Sequence, residues 1–279
     1  MGIVGSGIMG SGIAEVAAKA GLQVVLRSRK QATADAMLAS LEKSLAKQVD
    51  RGRIEQSEAD AVRGRVSATE QLADLADCDL VIESVVEDLE VKRGLFTELD
   101  GIVKPDAILA TNTSTLPVVE MAMATNRPDK VCGIHFFNPA PVQRLVELIP
   151  ALTTSEGTLG RAQLFTEKVL GKHAIRAQDR SGFVVNALLI PYLLSAIRMF
   201  ESGIASREDI DNGMEMGCAH PMGPLKLSDL IGLDTVASVA YSMYEEYKEP
   251  LYAAPPLLQR MVDAGRLGRK TGSGFYTYD

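Results

Sequence analysis

Near the start of the chain, Gly5-Ser6-Gly7-Ile8-Met9-Gly10 sets three glycines at the spacing G-x-G-x-x-G, between a short apolar run and an amphipathic segment. Each glycine has a physical task at the opening of a strand–turn–helix unit. Gly5 permits the tight turn, Gly7 lets backbone approach a pyrophosphate, and Gly10 allows close packing of helix against strand. Ile8 and Met9 then lie in the first turn of the helix, whose free N–H groups favour negative charge. The chemistry these residues can do is to hold a dinucleotide. About 20 residues further on, an acidic side chain would hydrogen-bond the ribose of NAD. That place holds Arg27-Ser28-Arg29-Lys30 instead. With no carboxylate to repel a 2′-phosphate, and with Ser28, Arg29 and Lys30 placed to bind one, the expected cofactor is NADP. NAD held through its pyrophosphate alone is the alternative.

These residues need elements to position them. The first half of the chain alternates brief apolar runs (Val24–Leu26, Leu80–Ile82, Ile108–Ala110, Val131–Ile134) with longer amphipathic stretches. The runs suit strands buried on both faces of a parallel sheet. Ile8–Ala20 reads as a helix stopped by Gly21, and Gln31–Arg51 as a longer helix with Leu38, Leu41, Leu45 and Val49 on one face and Lys43, Lys47 and Arg51 on another. From Asn186 to Phe200 the chain reads as a long apolar helix, with further helices expected over Arg207–Met216, Leu225–Leu230, Leu233–Tyr247 and Pro256–Ala264. The expected fold is α/β: a Rossmann-type doubly wound sheet over residues 1–182, followed by an all-helical domain over 183–279 for substrate and dimerisation. A long apolar helix in so small a domain points to a homodimer.

Composition sets outer limits. The chain has 279 residues, 46% hydrophobic and 23% charged, which excludes intrinsic disorder. With 29 basic against 36 acidic residues, net −7, it carries no overall field to draw in nucleic acid or an anionic membrane. An anionic ligand must be met by local cations. Cys78, Cys132 and Cys218 lie far apart, fitting neither a disulfide framework nor a metal site. With no apolar run long enough to cross a bilayer and no leader-like start, a cytoplasmic location is expected.

Several stretches are more specific than a dinucleotide motif. Thr111-Asn112-Thr113-Ser114, Ile134-His135-Phe136-Phe137-Asn138-Pro139, Asp179-Arg180-Ser181-Gly182-Phe183-Val184-Val185-Asn186, His220-Pro221-Met222-Gly223-Pro224 and Gly268-Arg269-Lys270-Thr271-Gly272-Ser273-Gly274-Phe275-Tyr276 closely resemble the 3-hydroxyacyl-CoA dehydrogenase family. The resemblance covers essentially the whole chain. Its compact length, without a hydratase portion, is similar to the bacterial members that act on 3-hydroxybutyryl-CoA.

The resemblance implies reversible hydride transfer between a nicotinamide and C3 of a short-chain (S)-3-hydroxyacyl-CoA. Such a reaction needs a group to take the hydroxyl proton, a group to orient that base, and donors to hold the carbonyl. His135, just past a candidate strand end, is the natural base, because imidazole titrates near neutral pH. Glu147 lies in the apolar run Leu145–Ile149, where a carboxylate needs a buried partner, and the family's His–Glu pair assigns it to His135. The resemblance further implies that Ser114 and Asn186 hold the substrate oxygen. Asn112, Ser114, Asn138, Glu87, Lys92 and Lys270 match cofactor positions, although Glu87 and Lys92 read equally as surface helix charges. Ser44 and Arg51 match coenzyme A contacts, with Arg51 standing where relatives often carry lysine, and Lys47 shares their helix face. Two other readings remain open from sequence: a β-hydroxyacid dehydrogenase, which would use a lysine as its catalytic group, and a non-catalytic nucleotide-binding structural protein.

Overall fold

The computed structural model describes residues 1–278. The chain divides into two compact units, one spanning Met1–Arg180 and the other beginning at Ser181.

The first unit is built on eight strands: β1 (Gly2–Val4), β2 (Val24–Arg27), β3 (Val66–Thr69), β4 (Leu80–Glu83), β5 (Ile108–Thr111), β6 (Val131–Phe136), β7 (Leu145–Pro150) and β8 (His173–Arg176). Their order across one sheet is β3-β2-β1-β4-β5-β6-β7-β8. The first six are parallel, β7 runs antiparallel to β6, and β8 is parallel to β7. The order reverses between β1 and β4, and such a switch point opens a crevice at the carboxyl ends of the strands. Helices α1 (Ile8–Lys19), α2 (Gln31–Asp50), α3 (Gln56–Gly64), α4 (Leu89–Asp100), α5 (Val118–Ala122) and α6 (Glu156–Leu164) complete the unit. The doubly wound sheet expected from the alternation of apolar runs is the observed one.

The sheet's core explains why those runs are so apolar. Ile3, Leu26, Ile82, Ile134 and Leu148 are fully buried, and α1 adds Ile13, Ala14 and Ala17 while α2 adds Met37, Leu41 and Leu45. Each large aliphatic side chain so buried contributes roughly 1.5–3 kcal/mol. One local expectation differs. The strand expected to end at Ile134 continues through Phe136, because pairing with antiparallel β7 carries the ladder two residues further. His135 therefore lies inside β6 rather than beyond it. His173 opens β8, which pairs with β7 and forms the end of the sheet, where polar side chains are tolerated.

The second unit is helical: α7 (Val185–Glu201), α8 (Arg207–Gly217), α9 (Pro224–Ile231), α10 (Leu233–Tyr247) and α11 (Pro256–Asp263). Its core gathers Leu193, Leu194 and Ile197 of α7 with Leu225, Val236, Ala240, Met243, Leu258 and Phe275. Two buried carboxylates tie its loops down. Asp211 accepts from the backbone N–H groups of Leu225 and Lys226, satisfying the open end of α9. Asp229 accepts from the N–H groups of Phe275 and Tyr276 and from the Tyr278 hydroxyl. A Cβ on Gly223 would fall 2.3 Å from Asp211, and one on Gly274 only 2.0 Å from the Asp229 carboxylate. The Pro-x-Gly-Pro joint and the closing glycine-rich stretch are therefore demanded by packing around these two aspartates. Among the described residues, no helix is long and apolar enough to cross a membrane.

Candidate active site

The crevice at the switch point is a cleft of about 570 Å³, lined by Gly5, Ser6, Gly7, Arg27, Ser28 and Arg29 on one side and by Val86, Val91 and Glu98 among others. That volume lies in the range of small-molecule sites. Gly5 adopts φ +138°, and a Cβ there would sit 2.1 Å from the Ser84 carbonyl oxygen, so only glycine fits. A Cβ on Gly10 would come within 2.6 Å of the Gly5 carbonyl oxygen, which fixes how closely α1 begins against the turn. Around Gly7 the space is open: nothing lies within 4 Å of where its Cβ would be. That opening beside the first turn of α1 fits a pyrophosphate. Ile8, the first residue of α1, is exposed, and Met9 packs on the core below it.

At the end of β2 the four polar residues separate. Arg27 and Arg29 line the cleft, whereas Lys30 caps the start of α2, is exposed and is not among the lining residues. Ser28 also borders the cleft but is only 4% exposed, and its hydroxyl is hydrogen-bonded to that of Thr33. Burial holds the Arg27 guanidinium below its ordinary value and Arg29 adds to the effect, while Glu98 opposes it. Arg27 Nε donates to the Glu70 carbonyl oxygen at 3.2 Å. Arg27 stands in the same stretch of sequence as Ser28, Arg29 and Lys30, and its place at the end of β2 puts it on the cleft wall.

Further along the same carboxyl edge, β6 and β7 bring the chemistry-bearing groups together. His135 and Glu147 are register partners across the antiparallel ladder. His135 Nδ1 lies 2.8 Å from Glu147 Oε2, and His135 Nε2 lies 3.0 Å from Ser114 Oγ. Glu147 is fully buried and His135 nearly so. With Glu147 ionised, Nδ1 carries a proton and donates to the carboxylate, leaving Nε2 to accept from the Ser114 hydroxyl. The Phe137 ring meets the imidazole edge-on at 4.7 Å. Asn112 Oδ1 accepts from the Phe136 N–H at 2.8 Å, locking the end of β6 to the loop after β5.

That loop is organised by Glu87. Its Oε1 accepts from the Thr113 hydroxyl and from the Ser114 N–H at 2.9 Å, and its Oε2 faces Lys92 Nζ at 3.2 Å. Burial pushes the Glu87 carboxyl up, but the Lys92 ammonium and the hydrogen bonds from Thr113 and Ser114 outweigh it and hold the group below the usual carboxylate range. Lys92 corrects its reading as a surface charge: it is 1% exposed, on α4, between Glu87 and Glu83. Amphipathic periodicity treats every lysine as a solvent-facing residue, so the buried ion pair left no trace in the sequence. Asn138, past the end of β6, is exposed.

Ser44 sits on α2, where its hydroxyl donates to Glu15 Oε2 at 2.8 Å. Lys47 and Arg51 are exposed on and just past the same helix. In the second unit, Asn186 is half-buried in the first turn of α7, and Lys270 is exposed and paired with Asp234 at 2.6 Å. The three cysteines are free thiols.

Comparisons with known proteins cover both parts of the chain. The model of the 3-hydroxyacyl-CoA dehydrogenase NAD binding domain matches residues 1–180, and that of the same family's C-terminal domain matches residues 182–278. The chain is 53% identical to the 3-hydroxybutyryl-CoA dehydrogenase of Mycobacterium tuberculosis, over all of this chain and 98% of that one. It is 45% identical to the 3-hydroxybutyryl-CoA dehydrogenase of Clostridioides difficile, over 100% of this chain and 99% of that one. Among solved structures, it superposes on M. tuberculosis FadB2 with a TM-score of 0.98 at 53% identity, covering 100% of this chain and 98% of that one. On (S)-3-hydroxybutyryl-CoA dehydrogenase PaaH1 from Ralstonia eutropha the TM-score is 0.94 at 40% identity, covering the same shares. With both halves matched and full-length relatives at this level of identity, the chain belongs to the 3-hydroxyacyl-CoA dehydrogenase family.

Proposed function

We propose that this protein is an oxidoreductase that reversibly transfers a hydride between a nicotinamide cofactor and C3 of a short-chain (S)-3-hydroxyacyl-CoA, the pair 3-hydroxybutyryl-CoA and acetoacetyl-CoA being its working substrates. The observation that carries this reading is the alignment Ser114–His135–Glu147, in which a buried carboxylate fixes one imidazole nitrogen and the Ser114 hydroxyl meets the other. The nicotinamide, when bound, supplies or accepts the hydride at C3. In oxidation, His135 Nε2 takes the proton of the 3-hydroxyl group, and Glu147 stabilises the imidazolium that forms. In reduction, Nε2–H returns a proton to the carbonyl oxygen. Ser114 holds the substrate oxygen beside His135.

Gly5, Gly7, Ile8, Met9 and Gly10 would take the cofactor's pyrophosphate, and Asn112, Ser114, Asn138, Glu87 and Lys92 its nicotinamide end. NADP is preferred. What supports this is the pair of guanidinium groups, Arg27 and Arg29, on the cleft wall at the end of β2, with Ser28 between them. Coenzyme A is met by the Ser44 hydroxyl and by Lys47 and Arg51, two local cations on a protein of net charge −7. The second unit forms a homodimer through α7, on which Leu188 and Met199 remain exposed beside a well-filled core.

Initial rates of acetoacetyl-CoA reduction with NADPH and with NADH, followed at the nicotinamide absorbance, test the reading. Turnover with an NADPH advantage is expected. An NADH advantage would remove the cofactor assignment and keep the reaction, and absence of turnover with both would remove the reaction.

A further inference from the structure

Glu83 takes no part in the chemistry above, yet it is fully buried at the carboxyl end of β4. Its Oε1 accepts from Lys92 Nζ at 2.6 Å and from the Val85 N–H at 2.6 Å, and its Oε2 accepts from the Thr111 hydroxyl at 2.8 Å. Lys92 reaches onward to Glu87, and Glu87 accepts from the backbone N–H of Ser114, the residue whose hydroxyl meets His135. A continuous series of charged and hydrogen-bonded groups thus runs from the end of β4 to the imidazole.

Stability gives no reason for this series. Burying an ion pair costs desolvation that the mutual attraction barely recovers, and apolar replacements of both partners are often neutral or stabilising. What the pair supplies is geometry. Glu83 is fixed from three directions by β4, β5 and α4, so it pins the end of a long, flexible lysine side chain at one point. Lys92 then holds Glu87 Oε2, which leaves Oε1 turned toward the Thr113–Thr115 loop.

We propose that Glu83 is a positioning residue for the His135 site: through Lys92 and Glu87 it sets the loop that presents Ser114 to His135 Nε2. This rests on the reading of His135 as the acid–base group. With the Glu83 charge removed, Lys92 turns wholly to Glu87, the Glu87 carboxylate rotates, and the Ser114 hydroxyl leaves its line with the imidazole.

Two readouts on the full-length protein test it. In acetoacetyl-CoA reduction, Glu83→Gln lowers kcat by about 10- to 100-fold, the cost of an ångström-scale misplacement, while KM for the acyl-CoA stays within about threefold. In a Ser114→Ala background the same substitution costs less than about twofold, because the route through Ser114 is already cut. Equal fold-losses in the two backgrounds would overturn the proposal. The second readout needs no turnover: the nitrogen resonance of His135 Nε2 moves in Glu83→Gln toward its position in Ser114→Ala, and an unmoved resonance overturns the proposal. A wild-type protein without turnover would sink the functional reading above, and the resonance would still decide this one. Should Glu83→Gln fail to fold, Glu83→Asp, which keeps the charge and shortens its reach to Lys92, carries the same two readouts with changes in the same directions.

Discussion

His135 and Glu147 face each other directly across the β6–β7 ladder, with Nδ1 and Oε2 2.8 Å apart. The one antiparallel junction adjoining the parallel strands is what makes this possible, since directly opposed residues on neighbouring antiparallel strands share a face. Both backbones are held by the ladder, so the imidazole has little freedom to turn. Glu147→Gln keeps the shape and removes the charge that stabilises the imidazolium in the proposed reaction. The expected result is a fall in kcat on the order of 10²–10⁴-fold with the acyl-CoA KM nearly unchanged. A KM rise at constant kcat would place Glu147 in binding instead.

The proposed preference for NADP rests on Arg27 and Arg29. Arg29→Ala is expected to weaken NADPH binding on the order of tenfold or more, the value of a charge-assisted hydrogen bond to phosphate, and to leave NADH binding within about twofold. Titration of nicotinamide fluorescence with each cofactor measures both constants. Equal weakening of the two would mean that Arg29 reads the part they share.

Glu15 joins α1 to α2. Its carboxylate accepts from Ser44 Oγ and Gln48 Nε2 and pairs with Lys19 Nζ at 2.7 Å. Burial raises this carboxyl, but Lys19, Gln48 and Ser44 together pull it below its ordinary value of 4.5. A carboxylate with a depressed folded value contributes stability that is fully present above 4.5 and is lost as pH falls through the depressed value. Thermal unfolding scans should therefore show a falling midpoint as the pH drops below that ordinary value. Glu15→Gln should be destabilised by about 1–3 kcal/mol at neutral pH and show a shallower acid decline. Because Ser44 loses its anchor, the same variant should raise the acyl-CoA KM more than it lowers kcat.

Leu188 projects from α7 while Leu193, Leu194 and Ile197 of the same helix fill the core. The homodimer reading expects sedimentation at micromolar concentration to give a dimer, and Leu188→Glu to shift it to monomer with the fold intact. A monomeric wild type would remove the dimer.

Much of the first unit was legible because buried parallel strands leave short, uninterrupted apolar runs, and because the spacing of Gly5, Gly7 and Gly10 has few uses outside a phosphate turn. His135 and Glu147 could be paired from sequence only through family resemblance; a carboxylate in an apolar run shows that a partner exists and does not name it. The Glu83–Lys92 pair is not legible in sequence: Lys92 matches a cofactor position or reads as a charge on an amphipathic helix, and Glu83 only closes an apolar run. Their meeting depends on how α4 settles against β4, which no local spacing encodes. The separation of Lys30 from Arg27 and Arg29 is of the same kind. Three cations within four residues look equivalent in sequence, and the turn into α2 sends one of them out of the cleft lining.

The central claim is that His135 moves the proton at the reacting oxygen, and the most direct test compares wild type with His135→Gln in acetoacetyl-CoA reduction, with cofactor affinity measured on the same preparations. The account predicts unchanged cofactor binding and turnover lower by on the order of 10²–10⁴-fold. Turnover equal to wild type in His135→Gln would contradict it.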